Sequence, residues 1–372
     1  MKKIIGFIAI TALLFACSKT DIPLTENSEA VASEKAKGGN GNGGGGSSGG
    51  GGGSAIVTAE ASYILPFGAI SGGEVASSGG GNNVTERGVC YSTDPEPTID
   101  DDKVISGSGS GTFTSALTGL LDNTTYYSRA YAIKIKNNGT TTTTYGDEQS
   151  FTTPEAIYGT VEDIDGNIYA TIEIGSQVWM MENLKTTKYR DGTLIPNVTD
   201  GVAWETTSSG AYCDYNNNVQ ISDSYGRLYN GYSLEHPSDL APEGWHVATE
   251  DDVRALTQYV RGSNPFNNDT GARLKETGTL HWLAPNAYSD NSSGFTALPG
   301  GFRRVSAGEF SHLRYQGRWW ATTSSGGTNL EYFHVRYNNE VFMGSMSGDV
   351  YPSVPSDPFH KNNGYSVRCV KD

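Results

Sequence analysis

The chain has 372 residues, enough for two ordinary domains and a linker, and its 48 glycines assign much of it to tether and turns. Its formal net charge is -15, with 26 Lys and Arg against 41 Asp and Glu. An acidic surface of this kind, uninterrupted by any long basic run, repels phosphate backbones and argues against a nucleic-acid partner.

The first segment, MKKIIGFIAITALLFAC, has a basic start at Lys2 and Lys3, an apolar run from Ile4 to Ala16, and a small residue before Cys17. It reads as a signal peptide over residues 1–16, because crossing about 30 Å of hydrocarbon takes roughly 20 apolar residues and this run is shorter. No later stretch is long and apolar enough to span either. Leu14, Phe15, Ala16 and Cys17 resemble the lipobox of bacterial lipoproteins. That resemblance implies cleavage before Cys17 and acylation of its thiol, so that the lipid holds the protein at a membrane surface, the outer membrane being the expected one. The alternative is an ordinary signal with an incidental cysteine. Loss of Lys2 and Lys3 would move the charge from -15 to -17.

Residues 17–54 are polar and then almost pure glycine and serine, which cannot bury enough apolar surface to offset ordering entropy. A disordered tether with an average span of about 35 Å is expected. From 55 to 154 the pattern changes to short runs rich in Val, Ile, Tyr and Thr between glycine and asparagine clusters, which predicts an all-β antiparallel sandwich. Within SALTGLLDNTTYYSRAYAI, the residues Leu117, Leu120, Asp122, Thr124 and Tyr126 resemble the fibronectin type III family, as does GVCYSTDPEPT. The resemblance implies a tyrosine corner at Tyr126, and a role as spacer or binding module. Cys90 reads as a small core residue.

Residues 158–372 hold all six tryptophans and all six histidines. The opening reads as a hairpin, with an Asp165-Gly166-Asn167 turn and Ile168, Ala170, Ile172 and Ile174 facing a core. Thr249 and Asp252 form a capping box that predicts a helix with Glu250, Asp251 and Asp252 in its first turn and Val253, Leu256 and Val260 inward. Glycine-rich loops and short strands follow, giving an α+β domain. The blocks DIDGNIYATIEIGSQVWMMENLKTTKYRDGT, PEGWHVATEDDVRAL, SGFTALPGGFR, RWWATTSS and GYSVRCVKD, in that order, resemble the Fibrobacter succinogenes major paralogous domain. The resemblance implies a layout similar to the C-type lectin fold, with a small mixed sheet and long loops, and it supplies no catalytic residues.

The oxygen-rich Asp163, Asp165 and Asn167 could ligate calcium at alternating positions, but the bidentate glutamate is missing and a tight turn explains the run better. A lectin-type calcium site is not expected, since Ala284-Pro285-Asn286 and Trp320-Ala321-Thr322 stand where its oxygen ligands would be needed. Cys213 and Cys369 are either a bridge closing a long loop, stabilising by about 4 to 5 kcal/mol in the chain-entropy model, or two unpaired buried thiols. Trp179 and Trp245 read as core. Trp204 and Trp282 lie in polar, turn-rich stretches and are candidates for exposure and stacking on a sugar, against the alternative that they too are core. His236, His246, His281, His312, His334 and His360 are scattered, with no metal or catalytic motif among them.

The reading is therefore a multidomain, non-catalytic envelope lipoprotein with no cofactor. It is bound to the membrane through its lipid and uses a C-type-lectin-like module to bind a glycan or a surface or matrix protein. The competing readings are a carbohydrate-active enzyme using carboxylates of the C-terminal domain, and a purely structural envelope component.

Overall fold

The computed structural model describes residues 56–77, 84–136, 138–261, 270–286, 289–322, 330–337, 343–345 and 360–372. The described residues are mostly β-sheet with few helices.

Eight strands come first: β1 (Ile56–Leu65), β2 (Gly68–Val75), β3 (Val84–Ser92), β4 (Asp102–Ile105), β5 (Gly111–Thr118), β6 (Thr125–Ile135), β7 (Thr141–Tyr145) and β8 (Gln149–Thr152). They form one sheet in the order β1-β2-β5 and a second in the order β4-β3-β6-β7, with β8 also on β6. Strand alternation supplies the core: Tyr126, Ser128, Ala130 and Ala132 of β6 are all buried. Tyr126 stacks on Phe151, and its hydroxyl accepts a hydrogen bond from the Leu121 N–H at 3.0 Å. Cys90 is a buried free thiol, pushed up to about 11 by burial.

The chain then continues into β9 (Tyr158–Glu162), β10 (Ile168–Ile174) and β11 (Gln177–Met180). Between β9 and β10 the acidic run is a turn, with Gly166 at φ 83°. Asp163 Oδ1 accepts from the N–H groups of Asp165 and Asn167, and its Oδ2 accepts from the Tyr169 hydroxyl at 2.6 Å. The Asp163 oxygens thus hold the hairpin turn, as its sequence favours, while the Asp165 carboxylate accepts from the Thr187 N–H and pairs with Lys188.

The last strand, Cys369–Lys371, inserts between Trp245–Val247 and β11, giving a five-stranded sheet that ends at β9. Side chains from its two faces enter different cores. Ile172, Ile174, Trp179 and Val370 join one cluster, whereas Tyr169, Met180, Val247 and Cys369 join another. This corrects the expected one-sided alternation in β10: Ile168 is exposed, while Tyr169 on the opposite face is fully buried because loops cover that face too. The helix Glu250–Arg261 starts where the capping box predicts and buries Val253, Leu256 and Val260. A hairpin of Gln316–Thr322 and Leu330–Arg336, extended by Met343–Ser345, adds Trp319 to the first core and Trp320 to the second.

Candidate functional site

Trp204 and Trp282, the candidates for exposure and sugar stacking, are both fully buried, as the alternative core reading has them. Asp200 caps the short helix Gly201–Thr206 that carries Trp204, whose indole N–H donates to the Asn362 carbonyl at 2.5 Å. The Arg303 guanidinium lies 4.6 Å from that ring. The Trp282 indole N–H donates to the Ala297 carbonyl at 3.0 Å, and the Lys275 ammonium lies 5.7 Å from its ring. Distant polar loops fold over both indoles and satisfy their donors, so neither ring is available for stacking.

Cys213 and Cys369 are free and buried, the second of the two alternatives that the sequence left open. Cys213 belongs to a cluster with Trp204 and Leu228, and Cys369 to the one with Tyr169 and Val247. Burial pushes the Cys213 thiol up to about 12 and Cys369 well above its ordinary value, so both are protonated and inert. Cys17 lies outside the described residues.

Among the described residues no group of three or more His, Cys, Asp or Glu could hold a metal ion. A cleft of about 210 Å³ opens beside Glu162, Asp163, Thr186 and Arg190. It is smaller than an ordinary ligand pocket, and three of its polar groups, Asp163, Thr186 and Arg190, are already committed to the fold. Arg190 donates to the carbonyls of Ala241, Pro242 and Trp245 and pairs with Asp239.

One face of the second hairpin is different. Pairing sets Gln316 opposite Arg336, Arg318 opposite His334 and Trp320 opposite Tyr332, so all six side chains share a face. The Arg318 guanidinium stacks 3.8 Å from the Phe302 ring centroid, lies 5.4 Å from that of Tyr332, and donates to the Tyr365 hydroxyl at 3.2 Å. Phe302 stacks in turn on His312 at 5.1 Å, and Arg304 approaches its ring at 5.8 Å. Gln316 and His334 are only 1 % and 6 % exposed, whereas Arg318, Arg336, Tyr332 and His312 are partly exposed at the rim.

Five buried atoms here have no hydrogen-bond partner among the described residues: Gln316 Nε2, Arg318 Nε, Arg336 Nε and both ring nitrogens of His334. Each such atom costs about 1–3 kcal/mol. Burial, with Arg318 and Arg336 adding to it, pushes His334 down to about 3, and burial with Arg318, Arg304 and Arg336 lowers His312. Both rings are neutral at neutral pH.

Elsewhere buried arginines are spent on the fold. Arg303 donates to the carbonyls of Val198, Thr199 and Gly308, and Arg368 to those of Met180, Phe295 and Thr296. By contrast, Arg304, Arg318 and Arg336 form no ion pair among the described residues. This face was not among the sites expected from the sequence, although the alternation Arg318/Trp320 and Tyr332/His334/Arg336 is a period-two signal in it.

The sequence profile of the Fibrobacter succinogenes major domain matches residues 172–371. The chain belongs to that family. The match takes in the five-stranded sheet from Ile172 onward and the whole second hairpin, so the cationic face lies within the Fibrobacter succinogenes major domain. No curated protein matches the chain. Two solved structures of the sensor domain of the anti-sigma factor RsgI4 in Pseudobacteroides cellulosolvens are similar to part of it. One is 18% identical, covering 27% of this chain and 93% of its own, with a TM-score of 0.21. The other, a solution structure, is 15% identical, covering 27% and 76%, with a TM-score of 0.22. No helix among the described residues is long and apolar enough to cross a membrane.

Proposed function

We propose that the chain is a non-catalytic lipoprotein of the bacterial envelope, anchored through lipid on Cys17 at the outer membrane. In this reading it presents its Fibrobacter succinogenes major domain, laid out like a C-type lectin, on a glycine-rich tether and a fibronectin type III-like spacer, to bind a glycan or a surface component. The observation that carries the binding reading is the face of Gln316, Arg318, His334 and Arg336, five of whose buried polar atoms have no partner among the described residues. The spacer reading is supported by the β1-β2-β5 and β4-β3-β6-β7 sheets and by the Tyr126 hydroxyl bond to Leu121.

The test is retention of the full chain, in detergent, on immobilised polysaccharides and envelope fractions. Retention that Arg336→Gln weakens supports the reading, and retention on none of them overturns it. One observation favours the hydrolase alternative. Glu331, whose Oε2 lacks a partner, has its carboxyl raised by burial and by nearby Glu250, as a general acid requires. Product release from a polysaccharide, abolished by Glu331→Gln, would replace the binding reading with that one.

A further inference from the structure

The unused atoms on the hairpin face specify a ligand chemistry. Gln316 Nε2, Arg318 Nε and Arg336 Nε are donors without acceptors among the described residues. Neutral His334 adds one donor and one acceptor. The missing complement is therefore rich in acceptors, and with two guanidinium groups flanking it, it carries negative charge. A planar carboxylate fits the guanidinium fork better than a point charge does. Tyr332 at the rim lies 5.4 Å from the Arg318 guanidinium and packs its ring on His334 and Tyr365, fixing the edge of the charged face.

Resting on the binding-module reading above, we infer that this face recognises the carboxylate of an acidic sugar, Arg318 and Arg336 holding the anion while Gln316 and His334 form its floor. The burial gradient suits this role: Gln316 and His334 lie inside, and the two arginines and Tyr332 at the partly exposed edge. A nucleic acid carries one charge per about 1.7 Å of duplex and meets repulsion from a chain of net charge -15. An acidic polysaccharide, with at most one carboxylate per sugar ring, meets far less.

The experiment titrates the full chain, in detergent, with oligogalacturonate, with its fully methyl-esterified form, with sodium sulfate at matched ionic strength, and with a DNA oligonucleotide. The expected result is binding of the free acid at least tenfold tighter than the ester. It is also expected to weaken at least tenfold in Arg336→Gln, and to remain weak in Arg336→Lys, which keeps the charge but not the fork. In the unaltered protein, the Arg318 and Arg336 Nε–H resonances are expected to shift on addition of the acid, a readout that needs no variant to fold.

Equal binding of acid and ester overturns the carboxylate inference but leaves the binding module standing. So does sulfate bound as tightly as the sugar acid, which makes the face a general oxyanion site, and so does preference for DNA. Binding of the acid with no shift at either arginine moves the site elsewhere and overturns the assignment. Failure of every probe here, together with retention on none of the polysaccharides or envelope fractions above, overturns both readings.

Discussion

His334 and His246 titrate in opposite directions, each set by what its ring meets. His334, walled in and facing Arg318 and Arg336, stays neutral down to about pH 3. The unfolded chain takes up that proton below its ordinary value near 6.5, so stability falls as pH drops from about 6.5 toward 3, by up to about 1.4 kcal/mol per pH unit. His246 binds Asp252 at 2.9 Å and Asp372 at 2.8 Å, bonds that with their charges raise it to about 9. Its stabilisation is complete below 6.5 and is lost as pH rises through about 9. Melting temperature against pH should therefore lose its acid slope above pH 4.5 in His334→Gln and part of its alkaline slope in His246→Gln, each read as the difference from the parent. Parallel curves would contradict the assignment. The free thiols make a second residue-scale prediction. Cys90, Cys213 and Cys369 should react with a thiol reagent only in denaturant, with the same stoichiometry whether or not reductant is added first. A stoichiometry that rises after reduction would restore the bridge.

At the scale of elements, two local devices carry measurable stability. Thr249 Oγ1 accepts from the Asp252 N–H at 3.1 Å, and Asp252 Oδ2 accepts from the Thr249 N–H at 2.8 Å, so the helix Glu250–Arg261 begins with both donors satisfied. Thr249→Ala is expected to cost about 1 kcal/mol, and Thr249→Ser much less. Equal losses in urea denaturation would mean that the hydroxyl is not the cause. In the sandwich, Tyr126→Phe removes only the bond to Leu121 and should lower the urea midpoint by about 1 kcal/mol equivalent with an unchanged slope. Gly317 marks where an element tolerates no side chain. A Cβ there would lie 2.7 Å from the Leu298 carbonyl oxygen, within the strand that carries Gln316 and Arg318.

At the scale of the whole molecule, the sandwich strands and the large sheet are fastened together. Phe67, in the β1–β2 turn, donates its N–H to the Ser292 carbonyl at 3.3 Å and packs against the core of Ile172 and Trp179. Asp122 accepts from the Ala156 N–H at 3.0 Å, holding the connection between β8 and β9. The space between Leu65, Gly68, Arg273 and Ser292 is only about 10 Å³, room for no more than a water. Phe67→Ala should loosen this joint. Calorimetry is expected to show one transition in the parent split or broadened in the variant, with faster proteolysis near residue 155. An unsplit transition merely shifted in temperature would mean that Phe67 stabilises its own core alone.

Features decided by neighbours in the chain were legible in the residues themselves. The Gly166 turn needs only a positive φ and an Asp carboxylate two to four residues away, and the helix start needs only Thr249 and Asp252. What each tryptophan and cysteine does was not legible, because burial is conferred by partners remote in sequence. Trp204 is capped by Asn362, 158 residues on, and a two-faced sheet sends Cys369 into a different cluster from Cys213. The hairpin face belongs to both kinds. Its alternation is written in Arg318, His334 and Arg336, but that these groups lack partners among the described residues emerges only from the tertiary structure.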